Sequence, residues 1–177
     1  AFAVTDQLSG ARKEALLFDA TAALVPDTRY VFNNTCIDIL AIAREMMLGE
    51  LQYREGHFEQ GFAHLRRAIE LDDTLPYDEP WGWMQPTRHA LGALLLEQDR
   101  VDEALLVYRA DLGFDPTLSR ACQHPENVWS LAGYFECLER LNRMEEAAII
   151  GQRLTIARAR ADVPVKCSCF CRRGAAG

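Results

Sequence analysis

Three cysteines near the C-terminal end of the sequence alternate with other residues. Cys167, Cys169 and Cys171 are separated by two positions each. In an extended segment this spacing directs all three side chains to the same side of the chain. Thiolates grouped in this way suit soft cations, so we expect zinc or copper(I) if these cysteines bind a metal, and no cofactor otherwise.

Cys122 and His124 lie together in a loop, and His89 precedes them in the sequence. If the cysteine segment folds back, these side chains could complete a metal shell with it. Structural zinc sites usually leave two residues between cysteines, whereas this run leaves one. Free thiols and a disulfide, for instance to Cys122, therefore stay open as alternatives. A metal- or thiol-redox-active protein is accordingly the alternative function.

A second set of residues, Asp78, Glu79 and His89, contains the groups that acid–base catalysis needs. The same residue types are typical of loops, where Asp78 can accept hydrogen bonds from nearby amides, and we favour that structural role. The sequence contains no Gly-rich phosphate loop, no serine elbow and no HExxH motif. We therefore assign no catalytic residue and favour a protein that is not an enzyme.

A repeated pattern predicts the helices that must position these residues. Leu91-Gly92, Gln98-Asp99-Arg100, Ala104, Tyr108 and Pro116 have spacings that resemble the tetratricopeptide consensus. In such a unit the glycine lets two helices approach closely, the alanine fits at their crossing, and the proline prevents further helix.

The pattern recurs 43 residues earlier, at Leu48-Gly49, and 43 residues later, at Asn142-Arg143. The third unit is the weakest match, because Phe135 stands where a small residue is expected. An N-terminal helix at about 11–24 precedes the three units. The predicted helix pairs are about 43–56 with 58–72, 86–98 with 101–112, and 128–141 with 144–160.

We therefore predict an all-α fold, a right-handed α-solenoid of antiparallel helix pairs with about three repeats plus the N-terminal helix. It is expected to be a single domain over residues 1–177, with repeats at about 42–75, 85–118 and 128–161 and a tail at 162–177. Pro164 ends the last helix. Because Val163, Val165 and Phe170 offer apolar atoms for burial, we expect the tail to run back along the helices.

The resemblance is closer to one group of bacterial and fungal tetratricopeptide proteins. It is carried by the run Leu75–Ala90, by Gly92–Gln98, by His124-Pro125 with Asn127-Val128-Trp129, and by Ser168–Arg172. It covers nearly the whole chain. The resemblance implies that this region is the C-terminal part of a longer helical-repeat protein, and it implies no activity.

In the tetratricopeptide family the first helix of each unit lines a ligand groove. The resemblance therefore implies a groove with mixed charges and aromatic rings, which suits a peptide or a partner helix. Its residues would be Glu50, Tyr53, Arg54, His89, Glu97, Trp129, Glu136, Glu139 and Arg140. A protein-interaction scaffold is thus the expected function.

Composition narrows the partners and the compartment. The net charge of −7 argues against a nucleic acid, and no apolar run approaches the roughly 20 residues that span a bilayer. Six cysteines would suggest disulfides in a small secreted protein, but about half of the residues here are apolar, so a core needs none, and Cys137 in a helical pattern is typical of a buried free thiol. We therefore favour a reducing, cytoplasmic location. If the parent protein continues upstream, Leu16, Leu17, Ala20 and Leu24 of the first helix would be partly exposed, which predicts a homo-oligomer.

Overall fold

The computed structural model describes residues 2–172. These residues form seven α-helices and one short β-hairpin, so the described chain is all-helical apart from two strands of two residues each. The chain divides into two compact units, Ala1–Thr87 and Arg88–Gly177.

The first unit contains three helices and the hairpin. Its elements are α1 (Leu8–Ala22), β1 (Tyr30–Val31), β2 (Asn34–Thr35), α2 (Cys36–Arg54) and α3 (Phe58–Asp73). The strands are antiparallel, with Tyr30 opposite Thr35 and Val31 opposite Asn34. Contacts between α2 and α3 pair residues whose numbers change in opposite directions, such as Glu45 with His64 and Tyr53 with Phe58, so these helices are antiparallel.

The second unit contains four helices and the tail. Its elements are α4 (Thr87–Glu97), which begins at the boundary residue, α5 (Val101–Asp111), α6 (Val128–Arg140) and α7 (Met144–Arg158). A single 3-10 turn, Arg120–Cys122, interrupts the long connection between α5 and α6. The predicted helices agree with the observed ones to within about three residues, with one exception.

The exception is the start of α2, which the repeat pattern placed near residue 43. The helix begins at Cys36 because Thr35 caps it, accepting a hydrogen bond from the Asp38 N–H at 3.1 Å. Asp38 also supplies a negative charge to the first turn, where the helix dipole favours it. The repeat pattern carries no information on this cap, and the prediction was therefore too short.

The turn between paired helices has the same geometry in all three repeats. A residue with positive φ is followed by the N-cap of the second helix. The positive-φ residues are Gly56, Asp99 and Asn142, with φ of 86°, 60° and 56°. The N-caps are His57, Arg100 and Arg143, with φ and ψ of −88° and 62°, −87° and 61°, and −89° and 62°. The 43-residue period of the sequence is thus a period of backbone conformation.

The turn before α1 belongs to the same class. Asp6 has a φ of 60°, and Gln7 has φ and ψ of −89° and 57°. The Gln7 N–H donates to the Phe2 carbonyl at 2.9 Å, as the His57 N–H donates to the Gln52 carbonyl at 2.9 Å. This 6→1 bond is the one that closes a helix end in the Schellman motif, so the turn before α1 has the same closing bond as the turns before α3, α5 and α7.

Each helix pair crosses where a glycine faces a large side chain. A Cβ atom on Gly49 would lie 2.7 Å from Leu65, and one on Gly92 would lie 2.4 Å from the Tyr108 ring. In the third pair the two roles are exchanged. Phe135 stands on the first helix, and the glycine is Gly151 on the second, with a Cβ position 3.1 Å from the Phe135 ring. The weak match at Phe135 is therefore compensated across the crossing.

Tyr108 makes the closest of these contacts, and it packs against α6 as well as α4. A Cβ atom on Gly133 of α6 would lie 2.2 Å from its ring. The ring of this α5 residue therefore passes between α4 and α6, with a glycine on each side. Burial raises the pKa of Tyr108 well above its ordinary value, so the hydroxyl stays protonated.

One face of α1 is apolar and open to solvent. Leu16, Leu17 and Leu24 are exposed, with Leu16 at 72% and Leu24 at 81%, which confirms the predicted exposure. Elsewhere on α1, ion pairs from Arg12 to Glu55 and from Arg44 to Asp19 connect it to α2.

We predict opposite outcomes for two glycine-to-alanine substitutions in helix interiors. Gly133→Ala overfills the Tyr108 contact and should destabilise the fold by about 1–3 kcal/mol. Gly10→Ala meets only the Phe2 ring at 3.5 Å, an ordinary contact, and should stabilise it by about 0.5–1 kcal/mol through helix propensity. Thermal melting of both variants checks this, and a Gly133→Ala protein as stable as the parent contradicts the packing described.

Candidate functional site

The tail, whose described part is residues 162–172, lies on helices of its own unit. The Arg158 side chain at the end of α7 donates to the Val165 carbonyl at 3.2 Å. Val165, Cys167 and Ser168 are buried. The expectation that the chain leaves the last helix and packs back is therefore confirmed. Residues 173–177 of the predicted tail lie outside the described residues.

Two details of that expectation were wrong. Val163 and Phe170 are exposed, Phe170 at 69%, and only Val165 of the three apolar residues is buried. The tail is also not extended through its cysteines. The Arg172 N–H donates to the Cys169 carbonyl at 3.2 Å, so residues 169–172 form a turn.

Ser168 fixes the tail to α4 and α5. Its hydroxyl donates to the His89 carbonyl at 3.1 Å and lies 2.5 Å from the Tyr108 hydroxyl. Tyr108 can reach Ser168 only because its ring passes between α4 and α6. The face on which the tail lies is therefore the face of α4 and α6 that is turned away from the body of α5.

Two further tail residues contact α6. They are Phe170 and Arg172, which follow Ser168 at intervals of two positions. The Phe170 ring lies against the edge of Trp129, with centroids 5.2 Å apart. The Arg172 guanidinium donates to Glu136 at 2.5 Å, and this hydrogen bond raises the pKa of Arg172. We call the His89 carbonyl, the Tyr108 hydroxyl, Trp129 and Glu136 the α4–α6 face.

Three residues that the family resemblance placed in a groove thus meet the tail. They are His89, Trp129 and Glu136. His89 takes part through its backbone carbonyl, because its side chain is turned to α5. Arg140 donates to the Leu96 carbonyl and to Asp99, so it ties α6 to the end of α4.

The remaining predicted groove residues differ in exposure. Tyr53 is only 2% exposed and packs against Phe58 and Phe62 of its own unit, so its side chain lies on no open surface. Glu139 is exposed, and Glu50, Arg54 and Glu97 are partly exposed.

A buried carboxylate, which the sequence did not lead us to expect, holds together the elements that carry this face. Asp111, at the end of α5, is 0% exposed. His89 donates to its Oδ2 at 3.0 Å, and His124 donates to its Oδ1 at 2.8 Å. Asn127 and Ser130 donate to Oδ2 at 2.9 and 2.6 Å. One carboxylate therefore joins α4, α5, the long connection and the start of α6.

The hydrogen bonds to Asp111 determine its charge. Burial alone would raise the pKa of this carboxyl, but the hydrogen bonds from His124 and His89 outweigh it and hold the pKa below its ordinary value. A signal for Asp111 exists in the sequence. It follows Ala104, Leu105 and Tyr108 on the buried stripe of α5, where a charged residue needs partners.

The cysteines are found in two chemical states. Cys169 and Cys171 form a disulfide, whereas Cys36, Cys122, Cys137 and Cys167 form none. The Cys167 thiol donates to the Cys169 carbonyl at 3.0 Å. Within residues 2–172 no group of three or more His, Cys, Asp or Glu side chains is arranged to hold a metal ion. The zinc or copper(I) site therefore stays a prediction, and so does its thiol-redox alternative.

The loop with Asp78 has the structural role that we favoured. Asp78 is buried and accepts hydrogen bonds from the Asn33 N–H at 3.1 Å, the Asn34 amide at 3.2 Å and the Glu79 N–H at 3.2 Å. Glu79 accepts a hydrogen bond from Tyr77. These bonds join the loop to the hairpin of the first unit.

Comparison with known proteins gives no match: no family model, no curated protein and no solved structure is similar to this chain. None of the helices formed by residues 2–172 is both long enough and apolar enough to cross a membrane.

We predict that Asp111→Asn destabilises the second unit by about 3–5 kcal/mol, the usual cost of breaking a buried charged network. Because the folded pKa of Asp111 is depressed, its carboxylate stabilises the fold above about pH 4, and this contribution is lost as the pH falls further. The difference in melting temperature from the parent should therefore narrow below about pH 4. Asp162→Asn, a change at an exposed carboxylate in the tail of the same unit, is the control. A melting-temperature difference between Asp111→Asn and the parent that does not change with pH contradicts the assignment of Asp111 as a buried, ionised carboxylate.

Proposed function

We propose that this chain is a protein-interaction module, and that the α4–α6 face of its second unit holds a peptide or a partner helix. One observation supports this above the others. A peptide segment, the tail, already lies on that face, held by a hydroxyl, a ring and an arginine. The face therefore offers complementary groups to a polypeptide that is not part of its helices.

The chemistry of the face fits weak and selective binding. Trp129 supplies a flat apolar surface, Glu136 supplies a charge for a cation, and the His89 carbonyl and Tyr108 hydroxyl supply hydrogen bonds. Aromatic residues and charge-assisted pairs are frequent anchors of binding sites. No group on this face has the arrangement of a nucleophile with its base, so the interaction function is favoured over an enzyme.

We further propose that the helix pairs stack as a right-handed tetratricopeptide-like solenoid of about three repeats, with α1 as the second helix of a preceding one. The support is the turn before α3, α5 and α7, which has one geometry at intervals of 43 residues and recurs before α1. The proposed partners are proteins, not nucleic acids or membranes. The proposed compartment is the cytoplasm. Four of the six cysteines, Cys36, Cys122, Cys137 and Cys167, form no disulfide, which supports it, whereas the Cys169–Cys171 pair argues against it.

The interaction function is tested by selecting peptides from a random display library. The target is the full chain carrying Phe170→Ala and Arg172→Ala, which removes two of the tail's contacts. We expect selected peptides to bind saturably, and Trp129→Ala or Glu136→Arg to weaken them at least about tenfold, equivalent to about 1.4 kcal/mol.

Two controls accompany this test. Glu145→Arg makes the same charge change at an exposed position of α7, outside the predicted groove and the α4–α6 face, and it should leave binding unchanged. Circular dichroism establishes that every variant is folded. If no peptide is selected, or if binding ignores Trp129 and Glu136, the proposed function fails.

We also propose that the chain self-associates through the apolar face of α1, because burying Leu16, Leu17 and Leu24 removes apolar surface from water. Light scattering should show a dimer or larger species that dissociates in the variant Leu16→Glu with Leu17→Glu. Leu106→Glu, at an exposed leucine of α5, should not change the mass. A monomeric parent at high concentration excludes this interface.

A further inference from the structure

The tail can be viewed as a ligand that the chain carries itself. Resting on the proposed interaction function, we propose that the tail is an autoinhibitory occupant of the α4–α6 face. We propose in addition that the partner which displaces it is a turn-forming peptide with a hydroxyl residue, an aromatic residue two positions later and an arginine two positions after that.

The positions follow from the contacts of the tail. Ser168, Phe170 and Arg172 each meet a different group of the face, and the cysteines occupy the positions between them. Charge complementarity fixes the third position, because Glu136 is an anion and accepts from the Arg172 guanidinium. The intervening positions carry the two cysteines of the disulfide, whose bond shapes the turn.

The backbone of the partner is expected to turn as the tail does. The Arg172 N–H bonds to the Cys169 carbonyl, and the Cys169–Cys171 disulfide closes a small ring that contains Phe170. A ring formed before binding reduces the conformational entropy that binding would otherwise cost. A cyclic peptide of this sequence should therefore bind more tightly than its reduced, open form.

The tail combines a buried part with an exposed one. Val165, Cys167 and Ser168 are buried, which keeps the tail at the face, where it competes with a partner. Phe170 stays 69% exposed in its contact with Trp129, so displacing it uncovers little apolar surface. Because the tail is attached to α7, its effective concentration at the face is on the order of millimolar. A free peptide must overcome this concentration, which makes the tail an inhibitor of binding in trans.

The experiment uses a labelled peptide with the sequence of residues 165–172, in which Cys167 is replaced by serine and the Cys169–Cys171 disulfide is intact. It is titrated against the full chain and against the full chain carrying Phe170→Ala and Arg172→Ala. We expect the variant to bind the peptide at least about tenfold more tightly than the parent, because its own tail competes less. Reducing the peptide should weaken its binding to the variant.

A charge exchange tests the third position. Added to the variant, Glu136→Arg should abolish binding of the peptide, and a peptide with glutamate in place of Arg172 should restore it. Glu145→Arg, at an exposed position of α7, should change the binding of neither peptide. If Phe170→Ala with Arg172→Ala does not fold, Arg172→Ala alone replaces it in both titrations.

Several outcomes overturn the proposal. One is equal affinity for parent and variant, and another is a charge exchange without rescue. A third is a parent dimer that the tail substitutions dissociate, because the tail would then occupy a second copy instead of its own unit. If library peptides bind the face and this peptide does not, only the autoinhibitory inference fails. If neither binds, the interaction function fails with it.

Discussion

The second unit depends on one steric constraint, the passage of the Tyr108 ring between two helices. Neither Gly92 nor Gly133 has a side chain, and any Cβ atom at either position would overlap the ring. The close approach of α4 and α6 to this ring allows its hydroxyl to reach the far side, where the tail lies. Burial keeps that hydroxyl protonated, so a residue of the core also provides a hydrogen-bonding group on the binding face.

In the same unit, the buried carboxylate of Asp111 occupies a core position where an apolar side chain is usual. An isolated charge in this position would be strongly destabilising, and only a full set of donors makes it compatible with folding. Two of the donors to Asp111, His124 and Asn127, come from the connection between α5 and α6. That connection makes the repeat longer than the usual tetratricopeptide unit of about 34 residues. The insert thus holds the ends of three helices together as well as linking them.

Most helices could be predicted because their signals are local and repeated. Glycine at the crossing, a turn and an alanine recur at fixed intervals, and the structure follows them closely, except at the capped start of α2. The pairing of Phe135 with Gly151 could not be predicted, because the large residue is on α6 and the glycine on α7, the reverse of the arrangement in the other two pairs. Asp111 was missed for a related reason. Its partners are spread over three segments, α4, the connection and α6, and only folding shows that they share one carboxylate.

The candidate site could also be predicted only in part from the sequence. The resemblance to repeat proteins placed Trp129 and Glu136 on a ligand face, and both meet the tail. It could not show that His89 contributes its carbonyl, or that Tyr53 is buried, because side-chain direction depends on packing and not on position within a repeat. The disulfide between Cys169 and Cys171 was among several open pairings, and no spacing argument selected it.

In a simple repeat array each unit contacts only its neighbours, so stability is close to a sum of separate terms and the ends fray independently. Because of the tail, the stability of the second unit should not be such a sum. It begins after the last helix and is bonded to the carbonyl of His89 on the first, which closes the linear series of helices α4 to α7 into a cycle. A cycle has no free end from which to unravel, so its four helices should lose their structure together, as one cooperative unit.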